Sequence, residues 1–161
     1  MSKITAAEVN KLRQKSGAGM MDCKKALVEA EGDFEKAIDI LRKQGQKLAD
    51  KRAERQASEG VVLSKVNADG NKAYAIMLNC ETDFVAQNQE VIQFAQTLLD
   101  LGIANDCTSA EELNAVSTEG RKVEEHVTDM IGKTGEKMEL GMFEVVGAAR
   151  AFAYTHPGNR I

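Results

Sequence analysis

The sequence predicts an α+β protein. We expect a small three-helix bundle over residues 1–45, a helical linker over 46–58, and an α+β core subdomain with antiparallel strands and grouped helices over 59–161. The hydrophobic period changes near residue 59 from intervals of three and four residues to continuous β-type runs. The charge divides at the same place, because residues 1–57 carry 13 basic and 9 acidic residues (+4) and residues 58–161 carry 8 and 16 (−8). Aromatic residues make up only 4% of the chain, which argues against a sheet-rich sandwich.

Three short helices are predicted within the first 45 residues. Thr5 is a suitable N-cap, and Glu8 three residues later completes a capping box. The segment 16–19 separates the first helix from the second, and Gly32 closes the second. Asp33 caps the third helix, which we expect to end at Gly45. A bundle of this size can fold alone, but only with a small margin of stability.

The following segment, residues 46–58, is polar and charged. It consists of good helix formers without a clear apolar face, which favours a solvated helical linker over a packed helix. A basic cluster in this segment could contact an acidic partner, but acidic residues lie between its members and favour a solvated surface. Its members are Lys47, Lys51, Arg52 and Arg55.

The remaining residues predict alternating strands and helices. Runs 60–66 and 72–78 are β-type, and the Asp69-Gly70 pair between them indicates a hairpin. Asn88 caps a helix that we expect to end before Gly102. Further helices are expected from the capping box 109–112 through residue 116, and after Thr118. Strands return over 137–155, in two runs at 138–146 and 149–154.

Composition excludes several classes of function. The net charge of −4 argues against a uniformly basic nucleic-acid binder, and no run reaches the roughly 20 apolar residues of a membrane span. The amino terminus lacks the apolar region of a secretory signal. Cys23, Cys80 and Cys107 are too far apart for a zinc site or a disulfide framework, so we expect reduced thiols in a cytoplasmic protein.

No catalytic constellation, metal site or cofactor site is predicted. The segment 17–19 lacks the spacing of a phosphate-binding loop and is better explained as a turn between helices. His126, beside two glutamates on a predicted helix, is expected to face solvent, and His156 is expected at a turn before Pro157. An enzyme that uses Cys80 beside Glu81 has no further sequence support.

The segment Thr82-Asp83-Phe84-Val85 lies where a strand is predicted to give way to a helix. Physical chemistry leaves two interpretations of Phe84 open. Phe84 can be a core residue beside a capping Asp83, or it can be a rigid side chain that a turn presents to another protein.

Two stretches resemble the bacterial translation elongation factor Ts family, the nucleotide-exchange factors of elongation factor Tu. One extends from Ile4 to Gly45, especially 9–13, 16–27 and 32–33, and the other is 81–86 followed by Asn88. The resemblance covers essentially the whole chain and implies a ubiquitin-associated-like three-helix domain over about 1–55. It also implies that the chain ends where a second core subdomain would begin, and is therefore a portion of a longer protein. Gln87, where the family commonly has lysine, and Pro157 differ from the family pattern.

The resemblance implies a guanine-nucleotide exchange factor that binds GDP-bound elongation factor Tu and promotes GDP release by disturbing its magnesium site. The resemblance assigns magnesium displacement to Thr82, Asp83, Phe84 and Val85. Within this segment, Asp83 and Phe84 match the pair that enters the magnesium site of the GTPase. Docking of the amino-terminal domain on the GTPase is assigned to Val9, Leu12, Arg13, Met20 and Met21. No enzymatic reaction, cofactor, nucleic acid, membrane or small-molecule substrate is implied. The alternative is a non-catalytic adaptor that binds proteins through its helical bundle.

Overall fold

The computed structural model describes residues 4–155 and residue 158, and this part of the chain forms two compact units. The first unit comprises the described residues up to Ala53 together with Thr128–Gly135. The second comprises Glu54–Val127 together with the described residues from Glu136 onward. Helices and antiparallel strands occur together, as predicted. The ubiquitin-associated-like character of the bundle remains a prediction, as does the division of the chain into segments 1–45, 46–58 and 59–161.

The described residues form seven helices and five strands. The helices are α1 (Ala6–Ser16), α2 (Met20–Glu29), α3 (Phe34–Arg52), α4 (Asp83–Ala86), α5 (Gln89–Ala104), α6 (Ala110–Ala115) and α7 (Val123–Thr134). The strands are β1 (Glu59–Val66), β2 (Lys72–Cys80), β3 (Ser117–Thr118), β4 (Arg121–Lys122) and β5 (Met138–Gly147).

The first and third helices begin at their predicted caps, Thr5 and Asp33. The Glu8 amide donates to Thr5 Oγ1 over 3.3 Å, and the Thr5 amide donates to Glu8 Oε2 over 2.7 Å, which confirms the capping box. The Asp33 carboxylate accepts the amide hydrogens of Glu35 and Lys36 at the start of α3. The helices enclose a small apolar core formed by Val9, Leu12, Cys23, Ala26, Leu27, Ala30 and Ala37.

The prediction that α3 ends at Gly45 is wrong, since the helix continues to Arg52. Gly45 is buried, and a Cβ built on Gly132 of α7 would lie 3.3 Å from the Gly45 Cα. The glycine therefore permits close approach of two helix backbones and does not act as a C-cap. As a result, the first half of the predicted linker continues α3.

An antiparallel sheet with strand order β1-β2-β5 forms the centre of the second unit. The hairpin predicted at Asp69-Gly70 is confirmed. Gly70 adopts a positive φ of 68°, and the Asn67 side chain accepts the amide of Lys72 over 2.9 Å. Tyr74 is buried in this sheet, and its ring centroid lies 6.1 Å from that of Phe143 on β5.

Two helices of the second unit start where they were predicted, and one starts later. The Asn88 side chain caps α5, and Ser109 caps α6 by accepting the Glu112 amide. The helix predicted after Thr118 begins only at Val123. Glu119 and Gly120 both have positive φ, so residues 117–122 form a tight two-residue turn between β3 and β4.

The strand predicted over 149–154 is absent from the described residues, because β5 ends at Gly147 and residues 148–155 are irregular. The amides of Ala148 and Ala151 donate to the carbonyls of Asn71 and Gly70 in the β1–β2 loop, so these groups are not available to a ladder. The turn predicted at residues 156–157 lies outside the described residues.

Gly102 does not end α5, contrary to prediction, because the helix continues to Ala104 and Gly102 is buried against Phe143. A Cβ at position 102 would overlap the Phe143 ring. We therefore expect Gly102→Ala to lower the free energy of unfolding by about 1–3 kcal/mol, measured by urea denaturation. In a Phe143→Leu background, where the ring is absent, the same substitution should be neutral or stabilising, because alanine favours helix. An equal loss in both backgrounds would contradict this explanation.

Candidate functional site

A single helical turn follows directly after β2 and carries the segment Thr82–Val85. Thr82 is the N-cap of α4, with the Val85 amide donating to Thr82 Oγ1 over 3.4 Å and the Ala86 amide donating to the Thr82 carbonyl over 3.2 Å. The capping residue is therefore Thr82 and not Asp83. The Asp83 carboxylate instead accepts a hydrogen bond from the Gln87 side chain over 3.3 Å.

Residues 82–86 present Phe84 to solvent. Phe84 is 83% exposed, whereas Ala86 is 2% exposed and anchors the turn to the rest of the unit. Thr82, Asp83 and Val85 are half-buried. The reading of Phe84 as a core residue is therefore wrong, and the alternative, an aromatic side chain presented outward on a turn, fits the structure.

Two glutamates hold the chain where this turn begins. Glu136 accepts two hydrogen bonds from Thr82, one from the amide at 3.0 Å and one from the hydroxyl at 2.7 Å. Glu81 accepts the amide of Lys137 over 2.6 Å and a guanidinium hydrogen of Arg55 over 2.9 Å. Sequence reasoning missed Glu136 and Arg55, because they lie 54 residues after and 27 residues before Thr82 in the chain.

Cys80 is the last residue of β2, and its thiol donates to the Thr82 carbonyl over 3.2 Å. Burial raises the pKa of the Cys80 thiol to about 11, and the charges of Glu136 and Glu59 act in the same direction. The raised pKa makes the thiolate of Cys80 scarcer at neutral pH than that of an ordinary cysteine, which disfavours Cys80 as a nucleophile. All three cysteines are free and buried, as expected for reduced thiols.

The other chemistry-bearing residues do not assemble a site. His126 is half-buried, with Nε2 3.2 Å from the Thr118 carbonyl oxygen, so the prediction that it faces solvent is wrong. Across residues 4–155 and 158, no group of three histidine, cysteine or acidic residues is arranged to hold a metal ion. Within the same residues, no helix combines the length and the apolar character that a membrane span requires.

The residues assigned to docking separate into two groups. Val9 and Leu12 lie in the core of the first unit, at 6% and 0% exposure, so they cannot contact a partner while that unit is folded. Arg13, Met20 and Met21 are exposed. Sequence reasoning missed exposed Val28, although its position seven residues after Met21 places both side chains on the same face of α2.

Comparison with known proteins identifies the family. The family model for Elongation factor TS matches residues 81–161, which include the turn that carries Phe84. The Elongation factor Ts of Christiangramia forsetii is 53% identical over 161 residues, which is 100% of this chain and 58% of the relative. That of Amoebophilus asiaticus is 48% identical over 98% of this chain and 57% of the relative. That of Phocaeicola vulgatus is 51% identical over 97% of this chain and 47% of the relative.

The matched region and the relatives agree with the resemblance found in the sequence. The family model covers the second half of the chain, and the relatives extend the similarity over its whole length. The chain spans between 47% and 58% of the length of these relatives. On these similarities, the chain belongs to the elongation factor Ts family.

Proposed function

We propose that this chain acts as a guanine-nucleotide exchange factor of translation elongation, which binds GDP-bound elongation factor Tu and accelerates the release of GDP. The main support is Phe84, a large apolar side chain that is 83% exposed on a turn whose two ends are fixed. Full burial of a phenylalanine side chain contributes about 1.5–3 kcal/mol, so a partner that covers Phe84 would gain binding free energy of this order.

The proposed mechanism acts through magnesium. Mg²⁺ requires a nearly ideal octahedral shell, in which protein groups and waters hold the ion against the phosphates. If Phe84 and Asp83 displace the groups that support this shell, the diphosphate loses much of its charge compensation and dissociates faster. Binding of this chain then lowers the affinity of the GTPase for GDP, and GDP lowers its affinity for the chain by the same ratio, since coupling between two ligands is reciprocal. No covalent bond changes in this process, so we do not assign an enzymatic reaction to the chain.

The exposed side chains of the first unit complete the proposal. Arg13, Met20 and Met21 lie at the surface of α1 and α2, and Val28 adds apolar area to the same face of α2. We assign the docking of this unit on the nucleotide-binding domain of elongation factor Tu to these four residues. Methionine suits such a surface because its unbranched side chain adapts to an irregular partner.

A protein-binding adaptor is the second candidate, favoured by the exposed apolar side chains of α2. Met20, Met21 and Val28 could bind a partner helix while the second unit serves only as a scaffold. An adaptor would bind elongation factor Tu without altering its nucleotide. The effect on GDP therefore distinguishes the two candidates.

The direct test is the release of fluorescent GDP from elongation factor Tu, with and without the chain. Coupling free energies of about 1–3 kcal/mol are typical, so we expect the affinity for GDP to fall about 5- to 150-fold at a saturating concentration of the chain. The release rate should increase correspondingly. Additional free magnesium should reduce the acceleration, because it refills the site. Binding of the chain without faster release would favour the adaptor.

A further inference from the structure

Residues 82–86, which we name the exchange turn after the proposed function, are too short to hold their own conformation. Helix α4 has four residues, and a helix this short gains too few hydrogen bonds to offset the cost of nucleation. The bond between the Val85 amide and Thr82 Oγ1 is long, at 3.4 Å. The direction of the Phe84 side chain must therefore be fixed by groups outside the turn.

We propose that Glu136 and Glu81 form a carboxylate clamp that orients the exchange turn, with Glu136 as a positioning residue for nucleotide exchange. This inference rests on the function proposed above. Each glutamate accepts the amide hydrogen of the residue that directly follows the other glutamate. Glu136 accepts from Thr82, which follows Glu81, and Glu81 accepts from Lys137, which follows Glu136. The two segments are thus tied by two short bonds to charged acceptors, which are stronger than neutral ones.

The clamp continues the sheet beyond its last backbone pair. Cys80 of β2 pairs with Met138 of β5 at the end of the ladder. The next two positions in the same register would pair residue 81 with 137 and residue 82 with 136. At these positions the glutamate side chains take the place of backbone carbonyls as acceptors, so the rigidity of the sheet extends into the start of the turn.

Arg55 compensates the charge of Glu81, and Lys137 in turn holds Arg55. Arg55 donates to Glu81 Oε2 over 2.9 Å, and the Lys137 Nζ donates to the Arg55 carbonyl over 3.0 Å. Only 13% of the Glu81 side chain is exposed, so its carboxylate depends on these partners more than on water. The clamp is therefore a connected network of side chains, and not an isolated surface pair.

The test compares the full chain with Glu136→Ala, Glu136→Gln and a matched control, Glu144→Ala. Glu144 is an exposed carboxylate on the same strand, paired with Ala75 and not adjacent to the turn. Glutamine keeps one acceptor oxygen for the Thr82 amide, but its N–H₂ group can contact Thr82 Oγ1 only by donating to it, so the second bond is reversed and both lose the strength of a charged acceptor. Two measurements are needed for each variant, one on the turn itself and one on GDP release.

The first measurement is amide hydrogen exchange at Val85 and Ala86, followed by NMR. Both amides bond to Thr82 and not to Glu136, so their exchange reports the order of the turn and not simply the deleted acceptor. In Glu136→Ala we expect exchange at these two amides to be roughly tenfold faster, with the amides of β2 before Cys80 unchanged. Glu136→Gln should be intermediate, and Glu144→Ala should match the original chain. Unchanged exchange at Val85 and Ala86 in Glu136→Ala would overturn the clamp.

The second measurement is the GDP release rate as a function of the concentration of the chain. In Glu136→Ala we expect the maximal rate to fall roughly ten- to hundredfold, as when a positioned group is displaced by about an ångström. The half-saturating concentration should change much less, because the docking residues of the first unit are intact. A maximal rate equal to that of the original chain would overturn the positioning role.

The two measurements separate this inference from the proposed function. If the original chain does not accelerate GDP release, the exchange function and the positioning role both fail, whereas the amide exchange still decides whether the clamp exists. If the original chain is active and Glu136→Ala loosens the turn without slowing release, only the positioning role fails. If Glu136→Ala unfolds, with β2 amides also unprotected, Glu136→Gln provides the decisive comparison.

Discussion

Replacing Phe84 with alanine is expected to reduce the acceleration of GDP release by about thirtyfold or more, without destabilising the chain. Truncation of an interface hot spot costs about 2 kcal/mol or more, which corresponds to that factor. Because Phe84 is 83% exposed, its removal should change the free energy of unfolding by no more than about 0.5 kcal/mol. Stopped-flow GDP release and thermal denaturation of the same preparation measure the two quantities.

Phe152 provides a matched control for this substitution. It is 82% exposed, and Arg150 lies over its ring at 5.9 Å, but it lies outside the exchange turn. Phe152→Ala should leave both GDP release and stability close to those of the original chain. If Phe84→Ala released GDP normally while its melting temperature fell by several degrees, Phe84 would be a structural residue. Equal losses in both variants would indicate a general effect of exposed aromatic side chains.

Replacing Leu12 with alanine is expected to destabilise the first unit, in contrast to Phe84→Ala, which should leave stability unchanged. Leu12 is fully buried in the core of the first unit, and a leucine-to-alanine change in a core costs about 2–5 kcal/mol. A small helical unit has little stability to lose, so most of its helical signal should disappear at 25 °C. Far-UV circular dichroism during urea denaturation measures this loss.

Met21→Ala is the matched surface variant of the same unit. Met21 is 62% exposed on α2, so its removal should leave the unfolding curve unchanged and weaken the binding of elongation factor Tu. Titration of the GTPase by isothermal calorimetry measures the affinity of each variant. A folded Leu12→Ala variant that binds weakly would contradict the assignment of Leu12 to the core.

Features determined by neighbouring residues were predicted correctly from the sequence. The capping box at Thr5, the cap at Asn88 and the hairpin turn at Asp69-Gly70 each depend on side chains within a few positions of the backbone groups that they satisfy. The sequence alone contains the donors, the acceptors and the spacing. Element types and starting points were therefore accessible at these places.

Predictions failed where a distant residue determines the outcome. Gly45 and Gly102 both have the appearance of helix ends, but each permits close packing, against Gly132 and the Phe143 ring respectively. The segment 149–154 has the pattern of a strand, but the β1–β2 loop takes up the backbone donors of Ala148 and Ala151. Local pattern contains no information about these contacts.

In the candidate site, too, the features set by neighbouring residues could be predicted and those set by distant residues could not. Its location at the strand-to-helix junction followed from the sequence, but the choice between a buried and an exposed Phe84 depended on the packing of α4 through Ala86. Glu136 had no signal of its own, because a single glutamate before a strand is common on protein surfaces. Only the folded chain brings its carboxylate to Thr82.

The location of the tyrosines gives the two units different spectroscopic properties. The chain has no tryptophan, and its two tyrosines, buried Tyr74 and exposed Tyr154, both belong to the second unit. Tyrosine fluorescence and the near-ultraviolet tyrosine bands should therefore follow the unfolding of the second unit and remain insensitive to the first. Far-ultraviolet signals contain both units. The difference between the two melting curves should give the stability of the helical unit in the intact chain, with no engineered label.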